Sequence, residues 1–106
     1  MFVQTSRHEG FCLPVLEAMA TGLPVVCTDA HGNRDFCRDG ENCLMPAADP
    51  DAVAAAIARV LRDPDLRARL AVAGRETAAA NDWARRLDEL ERFFEGVAAS
   101  RTPVAG

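Results

Sequence analysis

The stretch from Ser6 to Ala20 holds the residues whose types and spacing suit chemistry. Two carboxylates, Glu9 and Glu17, stand eight residues apart, with Gly10 directly after the first and a helix start between them. The amides of Gly10, Phe11, Cys12 and Leu13 would point out of that helix N-terminus, making an anion site suited to a diphosphate. Gly10 would let the backbone come close to a ligand. Glu17 lies four residues after Leu13, on the same helix face, where it could accept hydrogen bonds from both hydroxyls of a ribose. Glu9, in the loop on the other side, could take two hydroxyls of a sugar carried on the far phosphate. The spacing suits a nucleoside diphosphate sugar lying across the helix start. It leaves a plainer reading open as well, with Glu17 a carboxylate near the positive helix end and Glu9 a solvated loop charge.

The elements that must position these residues are short. Met1 to Thr5 reads as a strand and Ser6 to Phe11 as the loop after it. Leu13, Leu16, Ala20 and Val15, Met19 give a helical period over Leu13 to Thr21. Pro14 fits the first turn, and Gly22 followed by Pro24 ends the helix. Pro24 to Thr28 is apolar without alternation, which predicts a strand buried on both faces of a parallel sheet. Arg34 to Cys37 allows one helical turn, and Asn42 to Met45 predicts a short third strand. Beyond residue 49 the chain reads as three helices. Asp49-Pro50 and Asp63-Pro64 each set an N-cap carboxylate before an N1 proline. The first helix, to Arg62, carries Val53, Ile57, Val60 and Leu61 on one face; the second, to Ala80, carries Leu66, Leu70 and Ala73. The third, after Asn81-Asp82, shows Trp83, Leu87, Leu90 and Phe94 in a stripe expected to pack.

The fold class is therefore α/β: about three short parallel strands flanked by helices, with a helical C-terminal half. A doubly wound domain usually has about five or six strands, so this pattern matches the second half of one. The expected organisation is a partial domain over residues 1–96 and a frayed tail over 97–106.

Composition narrows the function. The 106 residues are 49% hydrophobic and 26% charged, a globular balance. Twelve Arg, no Lys and sixteen acidic residues give a net charge of −4 with no basic stripe, which disfavours nucleic acid as a partner. No apolar run is long enough for a transmembrane segment, and the first residues have no signal-peptide pattern. Cys12, Cys27, Cys37 and Cys43 form no CxxC pair, so scattered core thiols and a reducing, cytoplasmic setting are expected rather than zinc or disulfides. Asp49-Pro50-Asp51 and Asp63-Pro64-Asp65 have the spacing of a metal-binding pair but read better as helix starts, so no metal or other cofactor is expected.

The run from Glu9 to Val26 resembles the E-x7-E block of the group 1, retaining glycosyltransferases of GT-B fold. Thr28-Asp29 with Gly32, the turn Asp39-Gly40-Glu41-Asn42, Asp49-Pro50 and Trp83 resemble later blocks of that family in the same order, so the likeness covers about residues 1–95. It implies that Glu9 contacts the hydroxyls of the donor sugar and is the catalytic residue. It implies that Gly10, Phe11 and Cys12 offer amides to the sugar and distal phosphate, that Leu13 adds a backbone contact to the diphosphate, and that Glu17 binds the ribose. Two departures stand out. Cys12 occupies a position where the family has Gly, which is tolerable if its φ is negative. His31-Gly32-Asn33-Arg34-Asp35 replaces a Gly-Gly pair and a later Glu, in a loop that faces the cleft in relatives, so donor or acceptor preference would differ. The implied partners are a nucleotide-sugar donor, an acceptor of unknown chemistry, and an N-terminal domain or partner chain completing the cleft. The isolated chain is then expected to be inactive. The rival readings are a catalytically silent binding or assembly module and a truncated, non-functional fragment.

Overall fold

The computed structural model describes residues 1–100, apart from the side chain of Trp83. Strand β1 (Phe2–Gln4) is followed by helix α1 (Leu13–Ala20), strand β2 (Val25–Cys27) and helices α2 (Pro50–Arg62), α3 (Pro64–Ala80) and α4 (Trp83–Ala99). The two strands are parallel, with Phe2 opposite Val25, Val3 opposite Val26 and Gln4 opposite Cys27. All three residues of β2 are buried, as its unbroken apolar run predicts. Val25 and Cys27 join a cluster with Val15, Leu16 and Met19 of α1, while Val26 joins Leu44, Val60, Leu66 and Leu70. Helical layers thus cover both faces of β2, and this is what an α/β unit requires of a parallel strand.

The expected third strand shrinks to a single bridge, Val26 with Leu44. Leu44 does exchange both ladder bonds: the Cys27 amide donates to its carbonyl at 2.9 Å, and its own amide donates to Val25 at 3.0 Å. Its neighbours are committed elsewhere. The Met45 amide donates to Asp39 Oδ1 at 2.8 Å, the Cys43 carbonyl accepts from Gly40 at 2.8 Å, and Pro46 has no N–H to give. Asn42 holds the turn, with its side chain bonded to the Phe36 carbonyl at 2.7 Å, the Thr77 hydroxyl at 2.9 Å and the Arg38 amide at 2.8 Å. The turn expected near Arg34 is present, closed by the Cys37 amide on the Asn33 carbonyl at 2.9 Å.

The helices start where the Asp-Pro pairs place them. Asp49 accepts from the Ala52 amide and Asp63 from the Leu66 amide, each at 3.0 Å. Leu66 and Leu70 are buried and Val60 fully so, but Leu61 points outward at 61% exposure. Helix α3 lies against α1 through Gly74, where an added Cβ would meet Met19 at 3.3 Å. Helix α4 departs from expectation. Every residue from Ala84 to Ala99 is exposed, including Leu87, Leu90, Phe93, Phe94 and Val97. Leu87, Leu90 and Phe94 of the stripe expected to pack are thus left uncovered, while the Trp83 side chain lies outside the described residues. The helix also runs to Ala99, past the expected boundary at 96; residues 101–106 of the expected tail lie outside the described residues.

A free β1 edge and an uncovered apolar helix are both templates for association. Each unburied 100 Å² of apolar surface forgoes about 2.5 kcal/mol, a large part of the stability of a small domain. The purified 106-residue chain is therefore expected to self-associate or to melt broadly at low temperature, as read by light scattering and calorimetry. A monodisperse monomer with a sharp, high melting transition would instead mark an autonomous module.

Candidate functional site

The loop after β1 is built on Gln4. Its Nε2 donates to Glu9 Oε1 at 3.0 Å, to Cys12 Sγ at 3.2 Å and to Ser6 Oγ at 3.3 Å. The Ser6 hydroxyl also donates to Glu9 Oε1, at 2.7 Å. One oxygen of the half-buried Glu9 is thus held in place, and Oε2 has no hydrogen-bond partner among the described residues.

A second loop, after β2, supports the first. The Glu9 amide donates to the Ala30 carbonyl at 2.9 Å, and the buried Thr28 hydroxyl donates to the Ser6 carbonyl at 2.7 Å. Asn33, fully buried, shapes this loop from inside: its Nδ2 donates to the Thr28 carbonyl at 2.9 Å and its Oδ1 accepts from the Ala30 amide at 3.1 Å. Gly32 lies so close to the first loop that an added Cβ would fall 2.3 Å from the carbonyl oxygens of both Glu9 and Gly10. Outside, Arg34 grips Asp29 with Nε at 2.8 Å from Oδ1 and Nη2 at 2.9 Å from Oδ2. This holds Asp29 down to about 2, so the clamp is present at neutral pH and is lost as pH falls through that value.

Helix α1 begins at the end of the first loop without a side-chain cap. Its N-cap residue is Cys12, buried, at φ 68 and ψ 45. The condition under which Cys was tolerable here, a negative φ, is not met. The residue sits in the left-handed region where Gly is at home, at a cost on the order of 1 kcal/mol. The conformation also leaves the helix start open. The amides of Gly10, Phe11, Cys12 and Leu13 donate to no acceptor among the described residues. Phe11 and Leu13 are each 40% exposed beside them. Glu17 is exposed, one turn along, and its carboxylate makes no hydrogen bond or ion pair among the described residues. Burial, with the Glu9 carboxylate and Cys27 nearby, pushes the Cys12 thiol up, which keeps it protonated and removes it as a nucleophile.

All six residues singled out by the sequence, Glu9, Gly10, Phe11, Cys12, Leu13 and Glu17, fall on the loop and first turns of α1. Sequence reasoning missed the residues that hold them: Gln4, Ser6, Thr28 and Asn33. A polar Gln4 in an otherwise apolar strand, five residues before Glu9, was the available signal. His8 and His31 also meet, their rings stacked 5.0 Å apart and 7° from parallel, with His31 at φ 65. Phe11 packs edge-on against Phe36, with 5.5 Å between ring centroids, and the Arg86 guanidinium of α4 lies over the Phe11 ring, 5.8 Å from the ring centroid.

The model of the family described as "Glycosyl transferases group 1" matches residues 1–77. The chain belongs to this glycosyltransferase family. It is 40% identical over 97 residues to the phosphatidyl-myo-inositol mannosyltransferase of Mycobacterium leprae, covering 91% of this chain and 26% of that protein. It is 36% identical over 112 residues to a GDP-mannose-dependent alpha-mannosyltransferase of Mycolicibacterium smegmatis, covering 96% of this chain and 27% of the relative. The sucrose-phosphate synthase of Thermosynechococcus elongatus superimposes with a TM-score of 0.80 at 33% identity, over 93% of this chain and 26% of that one. These relatives establish the GT-B fold, and this glycosyltransferase chain spans about a quarter of their length.

The strained N-cap of the glycosyltransferase chain yields a direct test. Cys12→Ala removes the thiol and keeps the strain; Cys12→Gly removes both. The Gly variant is expected to be more stable than the Ala variant by about 1 kcal/mol in urea unfolding, opposite to the usual order of these two residues. The usual order would show that position 12 is not left-handed in solution.

Proposed function

We propose that this chain is the donor-side half of a retaining glycosyltransferase that takes its sugar from a nucleoside diphosphate sugar. One observation carries the reading: four unpaired amides, from Gly10 to Leu13, lie between a half-fixed carboxylate and a free one. Amides at a helix start bind the diphosphate and stabilise the charge that grows on it as the sugar leaves. Glu17 takes the two ribose hydroxyls. Glu9 Oε2 takes the sugar hydroxyls, and Gln4 and Ser6 fix the carboxylate so that the anomeric carbon is presented in one orientation. Glu9 is in this sense the catalytic residue, touching the reacting sugar. The acceptor sits on a facing domain, supplied by a longer chain or a partner, and the 106 residues alone transfer no sugar. The names of two relatives specify mannosyl transfer, which makes GDP-mannose the first donor to test. Among the described residues no helix is long and apolar enough to cross a membrane. A cytoplasmic setting, where nucleotide sugars are made, fits the four free thiols.

Within the complete enzyme, Glu17→Ala is expected to weaken nucleoside diphosphate binding by about 2–3 kcal/mol, the loss of a charge-assisted hydrogen-bond pair. Glu9→Ala is expected to lower kcat while leaving nucleotide affinity nearly unchanged. Calorimetry with GDP and UDP separates the two, and an unchanged affinity in the Glu17 variant removes the ribose assignment.

The leaving diphosphate is neutralised by amides and basic side chains rather than by a divalent ion. Asp49 and Asp63, the first members of the two Asp-Pro-Asp pairs, spend their carboxylates on helix amides. Transfer by the complete enzyme is expected to persist in EDTA. Complete loss, restored by Mn²⁺ or Mg²⁺, would contradict this.

A further inference from the structure

Three of the four cysteines are not scattered through the core. Cys27 at the end of β2, Cys37 in the turn and Cys43 beside the Leu44 bridge bring their sulfurs together, every pair within 4.8 Å. The Cys27 and Cys37 sulfurs are 3.8 Å apart. All three residues are buried, at 1%, 4% and 0% exposure, and none is in a disulfide. Positions 27, 37 and 43 of one short stretch therefore converge on one point, with the Arg38 carbonyl 3.8 Å from Cys43 Sγ and the Asn33 side chain beside Cys27.

We propose that Cys27, Cys37 and Cys43 form a closed three-sulfur site for one soft, thiophilic cation of the Cu(I) type. The spacing fits. Three sulfurs within 4.8 Å of one another lie within roughly 2.8 Å of a common centre, and a small contraction reaches the ~2.3 Å of a metal–thiolate bond. The ligand set selects the ion. An all-sulfur site with no His, Asp or Glu in the group suits a soft cation. Zn²⁺ in a structural site takes four ligands, and this one offers three in an apolar surrounding that gives water little room. A three-coordinate ion is satisfied as the site stands. A Cys27–Cys37 disulfide would leave the third thiol unused, whereas one cation uses all three.

The proton balance is simple. Each sulfur that binds as thiolate gives up one proton to solvent as the cation enters. The cation would tie β2 to the turn and to the Leu44 segment, so binding adds to folding stability. Cys12, the thiol of the α1 start, is not in the group.

The test is an anaerobic titration of the reduced 106-residue chain with Cu(I) buffered by bicinchoninate. One Cu(I) per chain is expected, held against the chelator, with sulfur-to-copper absorption in the near ultraviolet, a raised Tm and a shell of three sulfurs in X-ray absorption. Cys12→Gly should keep the stoichiometry, and Cys43→Ser should weaken binding at least tenfold. The X-ray shell is read on the unaltered chain, so the test stands even if the Cys43 variant fails to fold. No retained copper, a shell of two sulfurs, a nitrogen or oxygen shell, or copper lost in Cys12→Gly would each overturn the proposal.

Discussion

The close approach of two loops at the carboxyl ends of the strands governs the rest of the site. Gly32 rests on the carbonyls of Glu9 and Gly10 at a distance no side chain permits. The Glu9 amide bonds to Ala30, and Thr28 bonds to Ser6 across the same seam. Without this contact, the eight-residue loop before α1 would be held only by the bonds of Gln4 and Ser6. With it, Gln4 reaches Glu9 and Cys12 together, and the carboxylate and the helix start share one support. The parallel register of β1 and β2 makes the seam possible, because it brings both carboxyl ends to the same edge of the sheet. In an open α/β sheet that edge is where ligands bind.

What was legible in the sequence follows from how local each signal is. The helix start at Leu13, the Asp-Pro caps and the buried run at Val25 are written within a few residues, and each fell where the pattern placed it. The carboxylate pair was legible for the same reason: an eight-residue spacing across a helix start fixes both side chains relative to its amides. The supports were not legible. Gln4 and Ser6 act within the first loop and Asn33 within the second through irregular side-chain bonds, and Thr28 joins the two loops across 22 residues. No local period records that. The three converging thiols are a similar case, since positions 27, 37 and 43 match no metal spacing and only the folded turn unites them.

Two local signals misled, for different physical reasons. Asn42 to Met45 has a strand-like pattern, yet Asp39 and Gly40 take the backbone groups a longer ladder would use. Turn closure there outcompetes strand extension. The α4 stripe is a true amphipathic pattern on a true helix, but a periodic face says only that something should cover it. Among the described residues nothing does, and the relatives, about four times as long, have ample chain to provide a cover.

The helix termini differ in how they are closed. Helices α2, α3 and α4 are each capped by an Asp side chain, with Asp49, Asp63 and Asp82 accepting from backbone amides at 3.0, 3.0 and 2.7 Å. Such a cap is worth about 1 kcal/mol. Helix α1 forgoes it and carries left-handed strain at Cys12 as well. A Ser or Asp at that position would close over the amides it stabilised. The short, uncapped α1 is instead held by tertiary packing, with Val15, Leu16, Ala18 and Met19 all buried. Packing of α1 against β2 and α3 thus substitutes for local capping, and the amides from Gly10 to Leu13 stay unpaired among the described residues.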